Sequence, residues 1–214
     1  MFENRIVEPL FPTYVWVYDL EPEIAERLNH QLAQELQALT EPLPRIGPGE
    51  NWQTEQVLHE LGQFSEAVEI FKAASKGVLD ALEVVYDSFA ITGCWANMNP
   101  PGAQHRPHNH PNNFLSGVYY VAAPEGADSI SFLDPRPQQN VIAPPFRRPN
   151  RFNAVVSNLK VKPGRLVIFP AWLMHSVMKN QSDQLRISVS FNIMFTAYAE
   201  TMSRPKWSGL PIRR

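Results

Sequence analysis

The sequence predicts an α+β chain that is mainly β, an antiparallel sandwich or barrel with N-terminal helices packed on one face. Three observations predict it. Apolar residues recur at helical spacing as far as about residue 86, beyond Ser88 the period falls to two, and ten of the twenty prolines lie between Pro100 and Pro149. Proline breaks helices and central strands, so this middle region is read as short strands and stiff loops.

Each element follows from its own run of residues. FPTYVWVYDL is aromatic and β-branched and reads as a strand. Pro22 suits a first helical turn, and Ile24, Leu28, Leu32, Leu36 and Leu39 continue from it at helical spacing. The run EPLPRIGPGE ends that helix in a rigid loop. A second helix is predicted from about Gln63 to Tyr86, with Phe64, Val68, Phe71, Val78, Leu82 and Val85 on one core-facing stripe. FAITGCWANMNP, FLSGVYYVAA, DSISFLDP, FNAVVSNLKV, RLVIFPAW and LRISVSFNIMF then read as strands separated by proline, glycine and asparagine turns. SRPKWSGLPIRR reads as an irregular tail. With no repeat or low-complexity linker, the expectation is one domain over 1–214: a helical part at 1–87, a β core at 88–198 and a tail at 199–214.

Hydrophobic residues at 44% and charged residues at 19% describe a globular chain rather than a disordered one. Nineteen basic against twenty-one acidic residues give a net charge of −2, which offers nucleic acid no general footprint. The single cysteine, Cys94, excludes an intrachain disulfide framework and a cysteine-rich metal site. No run approaches the roughly 20 apolar residues of a membrane span, and Glu3 and Glu8 are at odds with a secretory signal. The expectation is a cytoplasmic protein with neither membrane nor nucleic acid as partner, and a homodimer as the default assembly.

Chemistry is concentrated in two stretches. QHRPHNHPNNFLSGVYYV carries His105, His108 and His110. On an extended segment the side chains at i and i+2 share a side, so His108 and His110 converge, and Pro107 and Pro111 keep the residues before them out of helix. Imidazole is the commonest metal ligand, although an isolated HxH is equally at home in a polar loop. In PGRLVIFPAWLMHSVMKNQSDQLRISVSFNI, His175 closes an apolar stretch, either as a ligand or as a core histidine bonded to a carbonyl. Strand alternation puts Arg186, Ser188 and Ser190 on one face and Ile187, Val189 and Phe191 on the other. A guanidinium with two hydroxyls is a carboxylate receptor if that face lies inside, and a solvated edge if it lies outside.

An HxH, a histidine 65 residues beyond its second member and an Arg-x-Ser eleven residues further on together resemble the non-haem Fe(II)/2-oxoglutarate-dependent oxygenases. That superfamily carries HxD/E, a distant His and Arg-x-Ser. The strings WANMNPPGAQHRPHNHPNNFLSGVYYV, SISFLDPR, LVIFPAWLMHSV and RISVSFNI look like a 2OG-Fe(II) oxygenase family of marine bacteria and cyanophages. FPTYVW and the NWQT string at Asn51 are similar to that family's opening, and the order of motifs is similar to that of prolyl hydroxylases.

The resemblance implies a double-stranded β-helix (jelly-roll, cupin-like) core in which His108, His110 and His175 bind Fe(II), with 2-oxoglutarate as co-substrate and O2 as oxidant. Arg186 would pair with the co-substrate's distal carboxylate, helped by Ser188 or Ser190 and one of Tyr119 and Tyr120. Parity with His108 and His110 favours Tyr120. Asn97, Asn113 and Ser116 are expected at the substrate pocket and Trp172 is expected to pack. RPQQNVIAPPFRRPN, with Arg136, Arg147, Arg148 and Arg151, is either a solvated loop or a lid. One departure matters, because His110 stands where the family has a carboxylate. Either three imidazoles hold the iron, or His110 stands back and a carboxylate such as Asp134, or a water, completes the site. The implied activity is hydroxylation of an amino acid, a protein side chain or a small metabolite. The alternatives are a three-histidine cupin-like metalloprotein that needs no 2-oxo acid, as oxygenase or isomerase, and a non-catalytic ligand-binding barrel.

Overall fold

The computed structural model describes residues 2–40, 47, 49–137, 141–142 and 144–199. The tail SRPKWSGLPIRR and most of the EPLPRIGPGE loop lie outside the described residues.

Among the described residues, ten strands form two sheets. In chain order they are β1 (Trp16–Asp19), β2 (Trp52–Gln53), β3 (Phe89–Asn99), β4 (His105–His108), β5 (Leu115–Ala122), β6 (Ser129–Leu133), β7 (Val156–Lys160), β8 (Arg165–Pro170), β9 (His175–Val177) and β10 (Arg186–Phe195). The larger sheet has the order β1-β8-β5-β10-β3-β2 and the smaller one β4-β9-β6-β7. Every pair of neighbouring strands is antiparallel. Helices α1 (Pro22–Thr40) and α2 (Ser65–Ala81) precede this core, and the single turn α3 (Thr196–Ala199) follows it.

The six-stranded sheet is buried on both faces, so it separates two cores. On one side Leu28, Leu32 and Leu36 of α1 and Val68, Phe71 and Val78 of α2 cover Cys94, Ala96, Met98, Leu115, Tyr119, Val189, Phe191 and Ile193. Phe71 stacks on Phe191 with centroids 4.5 Å apart. A Cβ on Gly117 would lie 2.2 Å from Cζ of Phe191, so the glycine makes room for that ring. The Tyr119 hydroxyl crosses the seam to donate to Asn29 of α1 at 2.8 Å. On the other side Val118, Tyr120, Val167 and Phe169 face Ile130 and Phe132 of the small sheet.

Two expectations need correction. The second helix stops at Ala81 instead of reaching Tyr86, because Glu83 adopts a left-handed φ of 52° and the Val84 N–H folds back to Leu79 O at 3.1 Å. The apolar stripe runs past that break, leaving Val85 99% exposed. Trp172, expected to pack, is 53% exposed on the turn between β8 and β9.

Candidate active site

Three imidazoles meet where β4, β9 and the turn after β4 converge. His108 and His175 are cross-strand partners in the β4–β9 pair. His110 lies just past the end of β4, held by its N–H to Ala171 O at 2.9 Å. Ring centroids are 4.3 Å apart for His108 and His175, 5.2 Å for His108 and His110, and 5.1 Å for His110 and His175. One nitrogen from each ring lies within 4.8 Å of the others, as a shared metal ion requires. Among the described residues no carboxylate joins the group. Asp134, the alternative ligand, is instead gripped by Arg136, whose Nε donates at 2.9 Å and Nη2 at 2.6 Å.

Backbone carbonyls set the tautomers. Nδ1 of His108 donates to Arg106 O at 2.7 Å and Nδ1 of His175 to Leu173 O at 2.9 Å. Each ring therefore carries its proton on Nδ1 and turns the Nε2 lone pair toward the common centre. Burial pushes His110 down to about 3 and His175 down to about 4, with His108 nearby adding to both effects. Both rings are uncharged at neutral pH, the form that ligates a metal.

Behind the imidazoles a cavity of about 430 Å³ opens between the sheets. Arg186 lies at its inner end, 2% exposed, donating from Nη1 to Asn99 Oδ1 at 2.8 Å and to Ser188 Oγ at 3.4 Å. Its Cζ is 5.2 Å from the Tyr120 ring centroid. Among the described residues no carboxylate pairs with this guanidinium. Its Nε has no hydrogen-bond partner, and neither has the buried Tyr120 hydroxyl. Burial lowers the Arg186 pKa and raises that of Tyr120, while each group partly offsets the other's shift. The hydroxyl feels the guanidinium's field but no well-formed hydrogen bond joins them. A buried cation beside two idle donors is costly unless an anion arrives to use them.

Of the residues singled out from sequence, His108, His110, His175, Tyr120, Arg186, Ser188, Ser190, Asn97 and Ser116 all line this cavity. Asn97 donates to Ser190 Oγ at 3.0 Å, and Ser116 to Asn192 Oδ1 at 2.7 Å. Asn113 does not reach the cavity, since its amide is spent on Thr92 and on Pro111 O, closing the turn in which Asn112 takes a φ of 65°. Arg136, Arg147, Arg148 and Arg151 are also absent from the lining, and residues 138–140 and 143 of that loop lie outside the described residues.

Sequence reasoning left His105 without a role. Its Nε2 lies 2.8 Å from Asn99 Nδ2, which also donates to Asn51 Oδ1 at 2.9 Å. His105 is thus an acceptor there, and burial together with Arg186 pushes its pKa down to about 4. Asn51 and His105 fix the Asn99 amide, and Asn99 fixes Arg186. The only sequence sign of this brace was the parity of Asn99 with Asn97 on β3.

Residues 93–192 match the family described as "Putative 2OG-Fe(II) oxygenase". No curated protein matches the chain by sequence. The fold is similar to that of a prolyl-4-hydroxylase from Pseudomonas putida, at 13% identity and TM-score 0.60 over 86% of this chain and 93% of that one. It is similar to HygX from Streptomyces hygroscopicus, solved with nickel and 2-oxoglutarate, at 11% identity and TM-score 0.58 over 86% and 83%. A 2-oxoglutarate-dependent carbocyclase of nogalamycin biosynthesis, SnoK, gives 11% identity and TM-score 0.61 over 86% and 80%. The two facing antiparallel sheets are therefore the double-stranded β-helix that the resemblance implied. Among the described residues, no helix is long and apolar enough to cross a membrane.

Proposed function

We propose that the protein, whose residues 93–192 match the 2OG-Fe(II) oxygenase family, is an Fe(II)- and 2-oxoglutarate-dependent dioxygenase that hydroxylates its substrate. The observation that carries this reading is Arg186, a fully enclosed guanidinium with an idle Nε beside an idle Tyr120 hydroxyl. A three-histidine metalloprotein that used no 2-oxo acid would gain nothing from that uncompensated charge.

The donor set fits both groups. Three imidazoles, two of them with their Nδ1 protons held by carbonyls, suit a divalent ion. Arg186 offers a fork for a carboxylate, and Tyr120 and Ser188 sit beside it to donate the remaining hydrogen bonds. When bound, iron with 2-oxoglutarate supplies the activation of O2 for attack on a C–H bond. The protein's part is to hold and orient. Arg186 fixes the far end of the co-substrate, so its keto-acid end is presented to the histidines. Val118, Ile130 and Phe169 exclude water from the space between. Ser190, Asn97 and Ser116 shape the side of the cavity left for the second substrate.

Anaerobic titration of the metal-free protein with Fe(II) and then 2-oxoglutarate tests the reading. The visible charge-transfer band of the chelate is expected in the wild type, at far higher co-substrate concentration in Arg186→Ala, and not at all in His175→Ala. Iron binding with no band would overturn the assignment in favour of the three-histidine metalloprotein.

A further inference from the structure

The cavity's charges do not balance, even after the co-substrate is counted. No aspartate or glutamate is found among the described residues that line it. Its cationic lining groups are Arg186 at the inner end and Arg106, an exposed residue of β4, at the mouth. His105 adds no charge at neutral pH, because it accepts from Asn99. A divalent metal and two guanidinium groups carry four positive charges against two negative charges on 2-oxoglutarate. In the family pattern a ligating carboxylate cancels one of these, and here His110 stands in its place.

A second imbalance lies on the same side. Register aligns four cavity-side residues across the large sheet, Tyr120, Ser188, Asn97 and Gln53. Tyr120 and Ser188 belong to the Arg186 end, and Asn97 is bonded to Ser190. Gln53 lines the cavity, yet its Nε2 is buried with no partner. Gln53 and Arg106 both line this cavity, and the chain segments just before them are tied together where Asn51 donates to the carbonyl of Gln104 at 2.5 Å. Among the described residues no carboxylate pairs with Arg106.

We propose that the second substrate carries a carboxylate, received between β2 and β4 by the Gln53 amide and the Arg106 guanidinium. The inference rests on the oxygenase reading of the same site. It assigns the two ends of the cavity to two different acids: the inner end, with Arg186, to the co-substrate, and the outer end, with Arg106, to the substrate that is oxidised. Gln53 and Arg106 are specificity-determining residues, and neither is needed to hold the metal.

The test uses the full chain loaded with Ni(II) and 2-oxoglutarate, a stable complex that does not turn over. Free amino acids, small hydroxy acids and the carboxamides of both are titrated into it by calorimetry. At least one acid is expected to bind, with its carboxamide about 10-fold or more weaker, the loss expected for an unpaired charged contact. Arg106→Gln and Gln53→Leu should each weaken that acid about 10-fold while leaving 2-oxoglutarate affinity within two-fold of wild type. Carboxamides binding as well as their acids, no acid in the panel binding, or both variants keeping full affinity would each overturn the proposal. Loss of 2-oxoglutarate binding by the wild type would overturn the oxygenase reading, and this proposal with it. The first titration separates the two failures.

Discussion

Strand β10 has two sides, both closed off from solvent, that obey different rules. Val189, Phe191 and Ile193 face the helices and are 1% exposed or less. Arg186, Ser188, Ser190 and Asn192 face the small sheet and are at most 7% exposed. Burial does not distinguish them. Satisfaction does, because the helix side needs only shape, as in the Phe71–Phe191 stack over Gly117. The cavity side has polar atoms to hydrogen-bond, and it pairs many of them with one another: Asn97 with Ser190, Ser116 with Asn192, Arg186 with Asn99. What those pairings leave over, Arg186 Nε and the Tyr120 hydroxyl on one side and Gln53 Nε2 on the other, marks where ligands are to be read.

The sharpest way to break this division is to make the same kind of cut on each side. Phe191→Ala should cost about 3–5 kcal/mol of unfolding free energy, read by denaturant titration, since it empties a stacked, sealed position. Ser190→Ala should cost about 1 kcal/mol or less. A Ser190→Ala loss as large as that of Phe191→Ala would show that the cavity side is structural after all.

Mild acid probes the cavity side. In the metal-free protein His105, His110 and His175 are held down at about 4, 3 and 4, against 6.5 in the unfolded chain. Between these limits the unfolded state binds more protons, so stability is complete above pH 6.5 and falls steadily toward pH 4. For His105 alone the difference amounts to on the order of 3 kcal/mol. Thermal melts across that window should show the decline, and His105→Gln should make it shallower. A flat profile would show that these rings are not buried neutral.

A smaller effect has the opposite sign. Arg186→Met should leave the ligand-free protein as stable as wild type or about 1 kcal/mol more stable, because it removes an uncompensated buried charge. A marked fall in melting temperature would show that Arg186 holds the fold rather than a ligand. Smallest is Asp19→Asn, which removes the bidentate Arg165 pair joining β1 to β8, at 2.7 and 2.8 Å. Arg165 and Lys162 hold that carboxyl well below its usual range, so its contribution is present at neutral pH and lost as pH falls. The carboxylate is 40% exposed, and screening keeps the loss to about 1 kcal/mol or less, seen only as a slight shift of the melt.

Much of this was legible in the sequence because alternation is a local property. The polar and apolar halves of RISVSFNI already separate the two sides of β10, and the HxH spacing already brings His108 and His110 together. The rest depended on pairing that no local run encodes. Strand β9 is three residues long and β2 only two, so neither has a period to detect. Gln53 becomes a cavity residue only because β2 adds itself to the edge of β3. The helical stripe ran on through Leu82 and Val85 after the helix had ended, because apolar spacing does not report a backbone reversal at Glu83. Asn113 and Trp172 lie close in sequence to the three histidines and yet do not line the cavity.

A cavity whose described walls hold no carboxylate, and whose remaining imidazole is occupied by Asn99, has no resident acceptor for a proton. A substrate that had to be deprotonated in order to react would find nothing in the wall to take the proton. On the proposed oxygenase reading, the bond to be broken would be one that gives up a hydrogen without asking the wall for a base. On that reading the wall would bear on the kind of bond to be cleaved, and not only on the charge of the molecule that carries it.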